Sequence, residues 1–249
     1  IAQAINGMRE RVIGESPFDL VKLWKRMYGA FVPLGYGGVQ VSAIAGIESA
    51  CWDIIGQVAG LPIYNLIGGR VRDSLRLFAI AGRNTGTPGK PGREGTVEAA
   101  QWAVDHGYTA IKYSPKGREL TPRYIREAGE LGLRLREVMG PDRGISVDLG
   151  NVRNIDTAIK FANSVAQCDP MYMELHAPEN IDAQVKIKQY VSAPLAIGEH
   201  QWARYGFREA FERQAVEVIN LDCVRTGGIS EARKIAAMAE AYYIQVAPH

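Results

Sequence analysis

From residue 75 onward, short apolar runs alternate with longer amphipathic segments, and this alternation restricts the possible fold more than any other feature of the sequence. A new apolar run begins roughly every 25–35 residues, which is the length of one strand–helix unit. Repeated units of this kind are typical of a parallel sheet whose strands are connected by helices. The predicted strands are 75–81, 109–113, 144–148, 171–174, 195–198, 218–222 and 243–247.

Regular spacing over seven strands favours a (β/α) barrel of the TIM type over an open doubly wound sheet. No Gly-x-Gly-x-x-Gly sequence follows an early strand, which removes the main argument for a dinucleotide-binding fold. Because such a barrel has eight strands, we expect residues 75–249 to form one that is incomplete at its C-terminus.

Residues 1–74 have a different, helical pattern. The segment 41–60 carries apolar residues at helical spacing and ends at Gly60, a residue that commonly terminates helices. We therefore predict a helix there, with one apolar stripe formed by Ile44, Ile47, Ala50, Cys51, Ile54 and Ile55.

Composition excludes several classes of protein. Apolar residues make up 47% of the chain, enough for a substantial core, and the net charge of +2 is spread without a basic patch for nucleic acid. The three cysteines have no metal-binding spacing, so reduced thiols are expected. No apolar run approaches the roughly 18–20 residues that cross a bilayer. These features predict a soluble cytoplasmic protein that binds neither nucleic acid nor membrane.

Acidic residues end three consecutive predicted strands. Glu174 follows Asp148 by 26 positions and Glu199 follows Glu174 by 25, which is one strand–helix unit in each case. In a (β/α) barrel the C-terminal ends of the strands converge on one site. Three carboxylates in one small space would repel one another, so a divalent cation is expected there, and all-oxygen ligation favours Mg²⁺ over Zn²⁺.

The alternative for any one of these acids is a structural role as a strand-end cap or as the partner of an arginine. Three acids in register argue against that interpretation, as do Asp222 and His249 at the ends of the next two strands. The sequence thus predicts a cluster of titratable side chains at one face of the barrel.

The segments 43–57 and 61–69 resemble the signature helix of the mandelate racemase and muconate lactonizing branch of the enolase superfamily. The resemblance covers essentially the whole chain and ends at the Ala-Pro-His of residues 247–249. Within that branch, the Pro-Glu-Asn at 178–180 and the segment 205–208 are most similar to sugar-acid dehydratases of the gluconate and galactonate type.

The resemblance implies a role for each candidate residue. Asp148, Glu174 and Glu199 would bind Mg²⁺, and residues 1–74 would be the helical part of an N-terminal α+β capping domain. Asp222 would orient His249, the general acid or base. Lys112, which matches the first lysine of a Lys-x-Lys motif, would add positive charge.

The implied reaction is removal of the proton next to a carboxylate, followed by loss of the β-hydroxyl, giving a 2-keto-3-deoxy acid. His176 and His200 each lie within two residues of a proposed ligand. We expect them to contact substrate, and support of the metal ligands by hydrogen bonds is the alternative role. The substrate would be a small-molecule carboxylate, and we also expect a homo-oligomer.

Three departures from the family pattern leave alternatives open. Ser114 stands where the second lysine of Lys-x-Lys would be, and Gly150 stands where several dehydratases carry a histidine. The usual Glu-Glu-Pro reads Glu174-Leu175-His176, and counting back from Glu199 would place Met173 at the ligand position. Racemisation or cycloisomerisation on the same scaffold, or binding of an acid sugar without turnover, are the alternatives. The identity of the sugar acid is not readable from the sequence.

Overall fold

The computed structural model describes residues 1–35, 37–82, 92–115 and 120–249. Its strands are β1 (Ala79–Ala81), β2 (Ala110–Tyr113), β3 (Gly144–Asn151), β4 (Tyr172–His176), β5 (Leu195–Ile197), β6 (Val218–Ile219) and β7 (Gln245–Val246). Its helices are α1 (Ala2–Gly7), α2 (Arg9–Val12), α3 (Leu20–Phe31), α4 (Val39–Ala59), α5 (Ile63–Leu66), α6 (Arg93–Asp105), α7 (Pro122–Met139), α8 (Ile155–Ala166), α9 (Ile181–Tyr190), α10 (Tyr205–Glu212), α11 (Cys223–Thr226) and α12 (Ile229–Ala241), with a 3₁₀ turn at Val32–Leu34.

Contacts between residues divide the chain into two compact units. The first unit comprises residues 1–73, 198–213 and 219–249, and the second comprises residues 74–197 and 214–218. Each predicted strand region contains a strand, although β1, β6 and β7 are shorter than expected. The division of the chain into domains at residues 74 and 75 stays a prediction.

The second unit alternates strand and helix, as the sequence pattern predicts. Strands β1 to β5 pair in parallel, each with the next along the chain. Three of its helices begin at a residue whose side chain accepts a hydrogen bond from a backbone N–H of the first turn: Thr121 for α7, Asn154 for α8 and Asn180 for α9. Such caps satisfy donors that would otherwise lack a partner, so local sequence explains where these helices start.

Strand register in the second unit assigns side chains to two faces, because successive residues of a strand point in opposite directions. Ile145 and Val147 of β3 lie on one face and are fully buried. Asp148 lies on the other face and is paired in register with Glu174 of β4. Met173 is paired with Val147 instead, so Glu174 is the β4 residue beside Asp148 and the alternative placement of Met173 is wrong.

The first unit has its own apolar core, in which α3 and α4 pack together. Its buried members are Met8, Leu23, Trp24, Met27, Ala43, Ile44, Cys51 and Ala203. The stripe predicted for α4 is correct at Ile44 and Cys51 but wrong at Ala50 and Ile54, which are exposed. The buried face of α4 is rotated around the helix axis relative to the predicted stripe, because it includes the side chain of Glu48, which is 2% exposed.

The last residues of the chain are held within the first unit by hydrogen bonds. The backbone N–H of Ala247 donates to the carbonyl of Ile219 at 2.9 Å, and that of His249 donates to the carbonyl of Leu221 at 2.9 Å. The side-chain amide of Asn220 also donates to the carbonyl of Ala247 at 2.8 Å. His249 therefore has a defined backbone position beside the segment that follows β6.

Within the described part of the chain, no helix is long and apolar enough to cross a membrane. The three cysteines are free thiols; Cys51 and Cys168 are buried, and Cys223 is exposed.

We predict that Gly198→Ala strongly destabilises the protein. Gly198 has φ +148°, and a Cβ there would lie 2.6 Å from the backbone carbonyl of Asn220, which cannot move easily. Overpacking of this kind costs about 1–3 kcal/mol. Urea unfolding measures the loss, with Gly206→Ala as the control, because the nearest atom to a Cβ at Gly206 is 3.5 Å away. Equal stabilities of the two variants would contradict the close packing of Gly198 on Asn220.

Candidate active site

In the second unit, polar side chains on β2, β3 and β4 form one cluster. Lys112 is paired in register with Ser146, and Asp148, two residues further along β3, is paired with Glu174. Residues two apart in a strand share a face, so Lys112, Asp148 and Glu174 all point to the same side of the sheet.

Lys112 forms an ion pair with Glu174. The ammonium nitrogen lies 2.6 Å from Oε1 and 2.7 Å from Oε2 of the carboxylate. The side chain of Glu174 is 1% exposed, and that of Lys112 is 12% exposed. Burial raises the pKa of Glu174 above its ordinary value, the Lys112 ammonium opposes that shift, and the charge of Asp148 adds to it. The protein therefore holds two acids together in a place where one of them is costly to ionise.

His176 belongs to the same cluster. One potential ligand atom from each of Asp148, Glu174 and His176 lies within 4.8 Å of the others, and His176 is almost fully buried. From the sequence we expect His176 to contact substrate and the metal to be bound by oxygen atoms only. In the structure its imidazole lies among the acids, because His176 follows Glu174 by two positions on the same face of β4.

Two of the departures from the family pattern have structural explanations. Gly150 follows a β-bulge in β3 and has φ +79°, a conformation that favours glycine. Its backbone N–H donates to Oδ1 of Asp148 at 3.0 Å, which helps to fix the carboxylate. Ser114 donates from its hydroxyl to the backbone carbonyl of Asp148 at 2.9 Å. Both residues therefore hold Asp148 in place.

In the first unit, Asp222 and His249 form a hydrogen-bonded pair. Oδ1 of Asp222 accepts from the backbone N–H groups of Val224 at 2.7 Å and Arg225 at 3.1 Å, as the N-cap of α11. Oδ2 lies 3.1 Å from Nδ1 of His249. The backbone thus fixes the orientation of the carboxylate, and the carboxylate fixes one ring nitrogen of the imidazole.

The other ring nitrogen of His249 faces Glu199. Its Nε2 lies 3.0 Å from Oε2 of Glu199, and Nε2 of His200 lies 3.5 Å from Oε1. The guanidinium of Arg225 lies 3.2 Å from Nδ1 of His200. An arginine only donates hydrogen bonds, so Nδ1 of His200 must be the acceptor in this contact. In a neutral imidazole the proton is then on Nε2, which faces Glu199. The role of Arg225 could not be predicted from the sequence, because it contacts His200, a residue 25 positions earlier in the chain.

The donor chemistry of the second-unit cluster fits a divalent cation. Asp148 and Glu174 are hard oxygen ligands held side by side. A cation would offset both the cost of burying the Glu174 charge, which is the main reason that its pKa is raised, and the smaller repulsion from Asp148. The imidazole of His176 widens the range of metals that the cluster accepts, because nitrogen ligands suit Fe²⁺, Ni²⁺ and Zn²⁺ better than Mg²⁺.

The predicted site residues thus fall into two groups, each built within one unit. The structure brings together Lys112, Asp148, Glu174 and His176 in the second unit, and Glu199, His200, Asp222 and His249 in the first. Convergence of all three predicted metal ligands on one ion stays a prediction.

Two family models match the chain. The model described as Mandelate racemase / muconate lactonizing enzyme, N-terminal domain, matches residues 1–68, and the model described as Enolase C-terminal domain-like matches residues 95–249.

Among curated relatives, the chain is 31% identical to a D-xylonate dehydratase of Haloferax volcanii, over 98% of the chain and 62% of the relative. It is 30% identical to a D-galactonate dehydratase of Ralstonia pickettii, over all of the chain and 64% of the relative. It is also 30% identical to a D-galactarolactone cycloisomerase of Agrobacterium fabrum, over all of the chain and 63% of the relative. The chain therefore spans less than two thirds of the length of these proteins.

Comparison with solved structures also finds proteins of this kind. A mandelate racemase/muconate lactonizing enzyme-like protein from Rubrobacter xylanophilus matches with a TM-score of 0.90 and 30% identity, over 99% of this chain and 68% of that one. The 3,6-anhydro-D-galactonate cycloisomerase from Zobellia galactanivorans matches with a TM-score of 0.87 and 26% identity, over 99% of this chain and 67% of that one. The predicted α/β fold class and the resemblance are therefore confirmed.

We predict that Lys112→Met raises the pKa of Glu174 further, because it removes the ammonium that lowers it. A raised carboxyl pKa means that the folded state holds its proton more tightly than the unfolded state does. Protonated Glu174 therefore adds to the free energy of unfolding at pH values below 4.5, the ordinary pKa of a glutamate. This contribution is lost as the pH rises through the pKa of Glu174 in the folded protein, which lies higher in the variant.

Carboxyl-carbon NMR titration of the metal-free protein measures this shift directly. Lys188→Met is the matched control, because Lys188 pairs with Glu217 in the same unit and does not contact Glu174. An unchanged Glu174 titration in Lys112→Met would show that the ion pair does not set the ionisation of this acid.

Proposed function

Since the chain belongs to the mandelate racemase and muconate lactonizing enzyme family of the enolase superfamily, we propose that it is part of a metal-dependent sugar-acid dehydratase, a hydro-lyase. The proposed substrate is a small polyhydroxy carboxylate, as the names of the D-xylonate and D-galactonate dehydratase relatives indicate for those proteins. The proposed product is a 2-keto-3-deoxy acid.

The observation that carries this proposal is the position of His249 between two carboxylates. Nδ1 faces Asp222 at 3.1 Å and Nε2 faces Glu199 at 3.0 Å, and about a third of the side chain remains exposed. An imidazole that is oriented by one acid and still accessible is suited to move a proton between protein and substrate.

We assign the metal to Asp148, Glu174 and Glu199, with Mg²⁺ as the proposed ion. The support is the cluster of Asp148 and Glu174 in the second unit, together with the spacing of one strand–helix unit to Glu199. When bound, such a cation neutralises negative charge that develops on the substrate carboxylate. The imidazole of His176 is the feature of the cluster that would favour a metal such as Fe²⁺ or Ni²⁺ instead.

The side chains of this chain would then divide the proton transfers. Removal of the proton next to the carboxylate leaves an electron pair, which forms a carbon–carbon double bond as the bond to the β-hydroxyl breaks. The resulting enol gives the 2-keto-3-deoxy acid by losing its hydroxyl proton and gaining a proton on the β-carbon. The β-hydroxyl needs a proton in order to leave as water, and His249 would deliver it. With Ser114 and Gly150 in place of other titratable groups, His249 would also be the first candidate for the base.

Lys112 would change partners when the cation binds. In the structure its ammonium is paired with Glu174, and a cation would take over the neutralisation of that carboxylate. The freed ammonium would then stabilise charge on the substrate. We assign substrate contact to His176 and His200, with Arg225 fixing the orientation of His200.

Cycloisomerisation is the second candidate, because one relative with 30% identity is a D-galactarolactone cycloisomerase. The two reactions share proton abstraction next to a carboxylate but give different products. Loss of water to a 2-keto acid distinguishes dehydration from ring opening without loss of water. A cytoplasmic location and a homo-oligomeric assembly stay predictions from the sequence.

We predict that the full-length protein dehydrates at least one sugar acid in the presence of Mg²⁺, and that His249→Asn abolishes turnover. General acid–base groups contribute about 10²–10⁴-fold, and a group that serves both proton transfers should lie at the top of that range. The measurement is formation of the 2-keto acid across a library of aldonic and aldaric acids, with calorimetry for Mg²⁺ binding.

The variant should still bind Mg²⁺, because His249 is not a proposed ligand. His106→Asn is the control, since the exposed ring of His106 bonds to the carbonyl of Trp102 within the second unit. Near-normal turnover by His249→Asn would place the base elsewhere, with Lys112 and His176 next to be tested. Binding of sugar acids by the wild-type protein without any turnover would instead favour the non-catalytic alternative.

A further inference from the structure

The segment that carries Asp222 and Arg225 is held by hydrogen bonds at both of its ends. At its start, the backbone N–H of Thr226 donates to the carbonyl of Asp222 at 2.8 Å. The N–H of Gly228 donates to the carbonyl of Cys223 at 2.8 Å, which closes the one-turn helix α11. The position of Gly228 is therefore linked to that of Asp222 through a short, closed run of backbone.

Helix α12 begins immediately after this run, and its N-terminus lacks a cap of its own. Gly228 is the N-cap residue and has no side chain to accept hydrogen bonds from the first turn. The N-terminal N–H groups of a helix need acceptors, particularly where the helix end is buried. The acceptor here comes from another part of the first unit.

Glu48, in the middle of α4, supplies that acceptor. Its Oε2 accepts from the backbone N–H of Ile229 at 2.8 Å, and its Oε1 accepts from that of Ser230 at 3.0 Å. The indole N–H of Trp52, one turn further along α4, donates to Oε1 at 2.8 Å and also lies 3.1 Å from the hydroxyl of Ser230. The carboxylate is thus held by three N–H donors from two helices.

The backbone at Gly228 is shaped around this carboxylate. Gly228 has φ +109°, and a Cβ at that position would lie 2.3 Å from Oε2 of Glu48. Gly227, with φ +104°, is held by the indole N–H of Trp24, which donates to its carbonyl at 2.9 Å. Both glycines therefore adopt a conformation that suits close approach of side chains from α3 and α4.

A carboxylate at 2% exposure is costly to bury, and an apolar residue would serve the core of α4 better if packing were its purpose. Two of the three donors, the N–H groups of Ile229 and Ser230, offset that cost only when the segment after β6 is in its observed position. The hydrogen bonds of Glu48 go to Ile229, Ser230 and Trp52, so its structural link to Asp222 runs along the backbone from Ser230 to Asp222.

We propose that Glu48 is a positioning residue for proton transfer: by capping α12 it fixes the segment 222–230, and thereby holds the Asp222 carboxylate against Nδ1 of His249. This inference rests on the proposed function for its catalytic consequence. The effect on the Asp222–His249 hydrogen bond does not depend on which reaction the protein catalyses.

The test is the isosteric variant Glu48→Gln in the full-length protein. A glutamine has one accepting oxygen, and its NH₂ group cannot accept from the N–H of Ile229 or Ser230. We expect kcat for dehydration to fall at least about tenfold, because small misplacements of catalytic groups are costly. KM should stay within about twofold, since an interaction used for proton transfer does not affect ground-state binding.

The matched control is Ile44→Ala, one turn earlier on the same helix, where a fully buried side chain packs in the apolar core of the first unit. Both variants are compared at temperatures equally far below their own midpoints of thermal unfolding. We expect Ile44→Ala to keep kcat near the wild-type value. Equal losses of kcat in the two variants would overturn the proposal, because they would show a general effect of packing.

A second readout is the imidazole ¹H–¹⁵N NMR signal of the Nδ1–H of His249, which reports the hydrogen bond to Asp222. We expect it to weaken or shift in Glu48→Gln and to persist in Ile44→Ala. If the wild-type protein dehydrates no sugar acid, the proposed function fails and this signal alone decides the role of Glu48.

Should Glu48→Gln not fold, Glu48→Asp, which keeps the charge on a shorter side chain, is measured in the same way. A wild-type His249 signal in the variant measured would overturn the proposal.

Discussion

The burial of Glu174 beside the half-buried Asp148 on neighbouring parallel strands is the constraint on which the second-unit cluster depends. Two carboxylates side by side repel each other, and burial makes the ionised form of Glu174 costlier still. Lys112 offsets this with an ammonium group within 3 Å of both carboxylate oxygens. A site built in this way is prepared for a cation, since binding one relieves a repulsion that the fold itself imposes.

The reactive residues of the first unit are held in place in a different way. Its acid–base pair depends on backbone N–H groups, which leave Asp222 with one carboxylate oxygen for His249. That arrangement is stable only if the short helix after β6 stays in place, and the buried carboxylate of Glu48 provides the contact that holds the end of this segment. One buried side chain, Glu48, thus supports the segment that carries the reactive Asp222.

Much of the fold follows from local patterns in the sequence. The helices at 181–190 and 229–241 begin where the sequence explains it, because a capping residue or a glycine precedes an amphipathic run in each case. His176 could have been placed beside Glu174 from the two-residue period of a strand. The inclusion of Glu48 in the buried face of α4 could not be predicted, because its partners on α12 are about 180 residues away along the chain. Nor does sequence show that Gly150 sits in a bulge with positive φ.

The most direct test of this account is a crystal structure of the full-length protein soaked with Mn²⁺, which binds oxygen ligands as Mg²⁺ does and is located by its anomalous scattering. The account predicts one ion contacted by carboxylate oxygens of Asp148, Glu174 and Glu199, at about 2.0–2.4 Å, with the ammonium of Lys112 released from Glu174. An ion held by Asp148, Glu174 and His176 without Glu199, or a Lys112–Glu174 pair that persists with the ion bound, would contradict it.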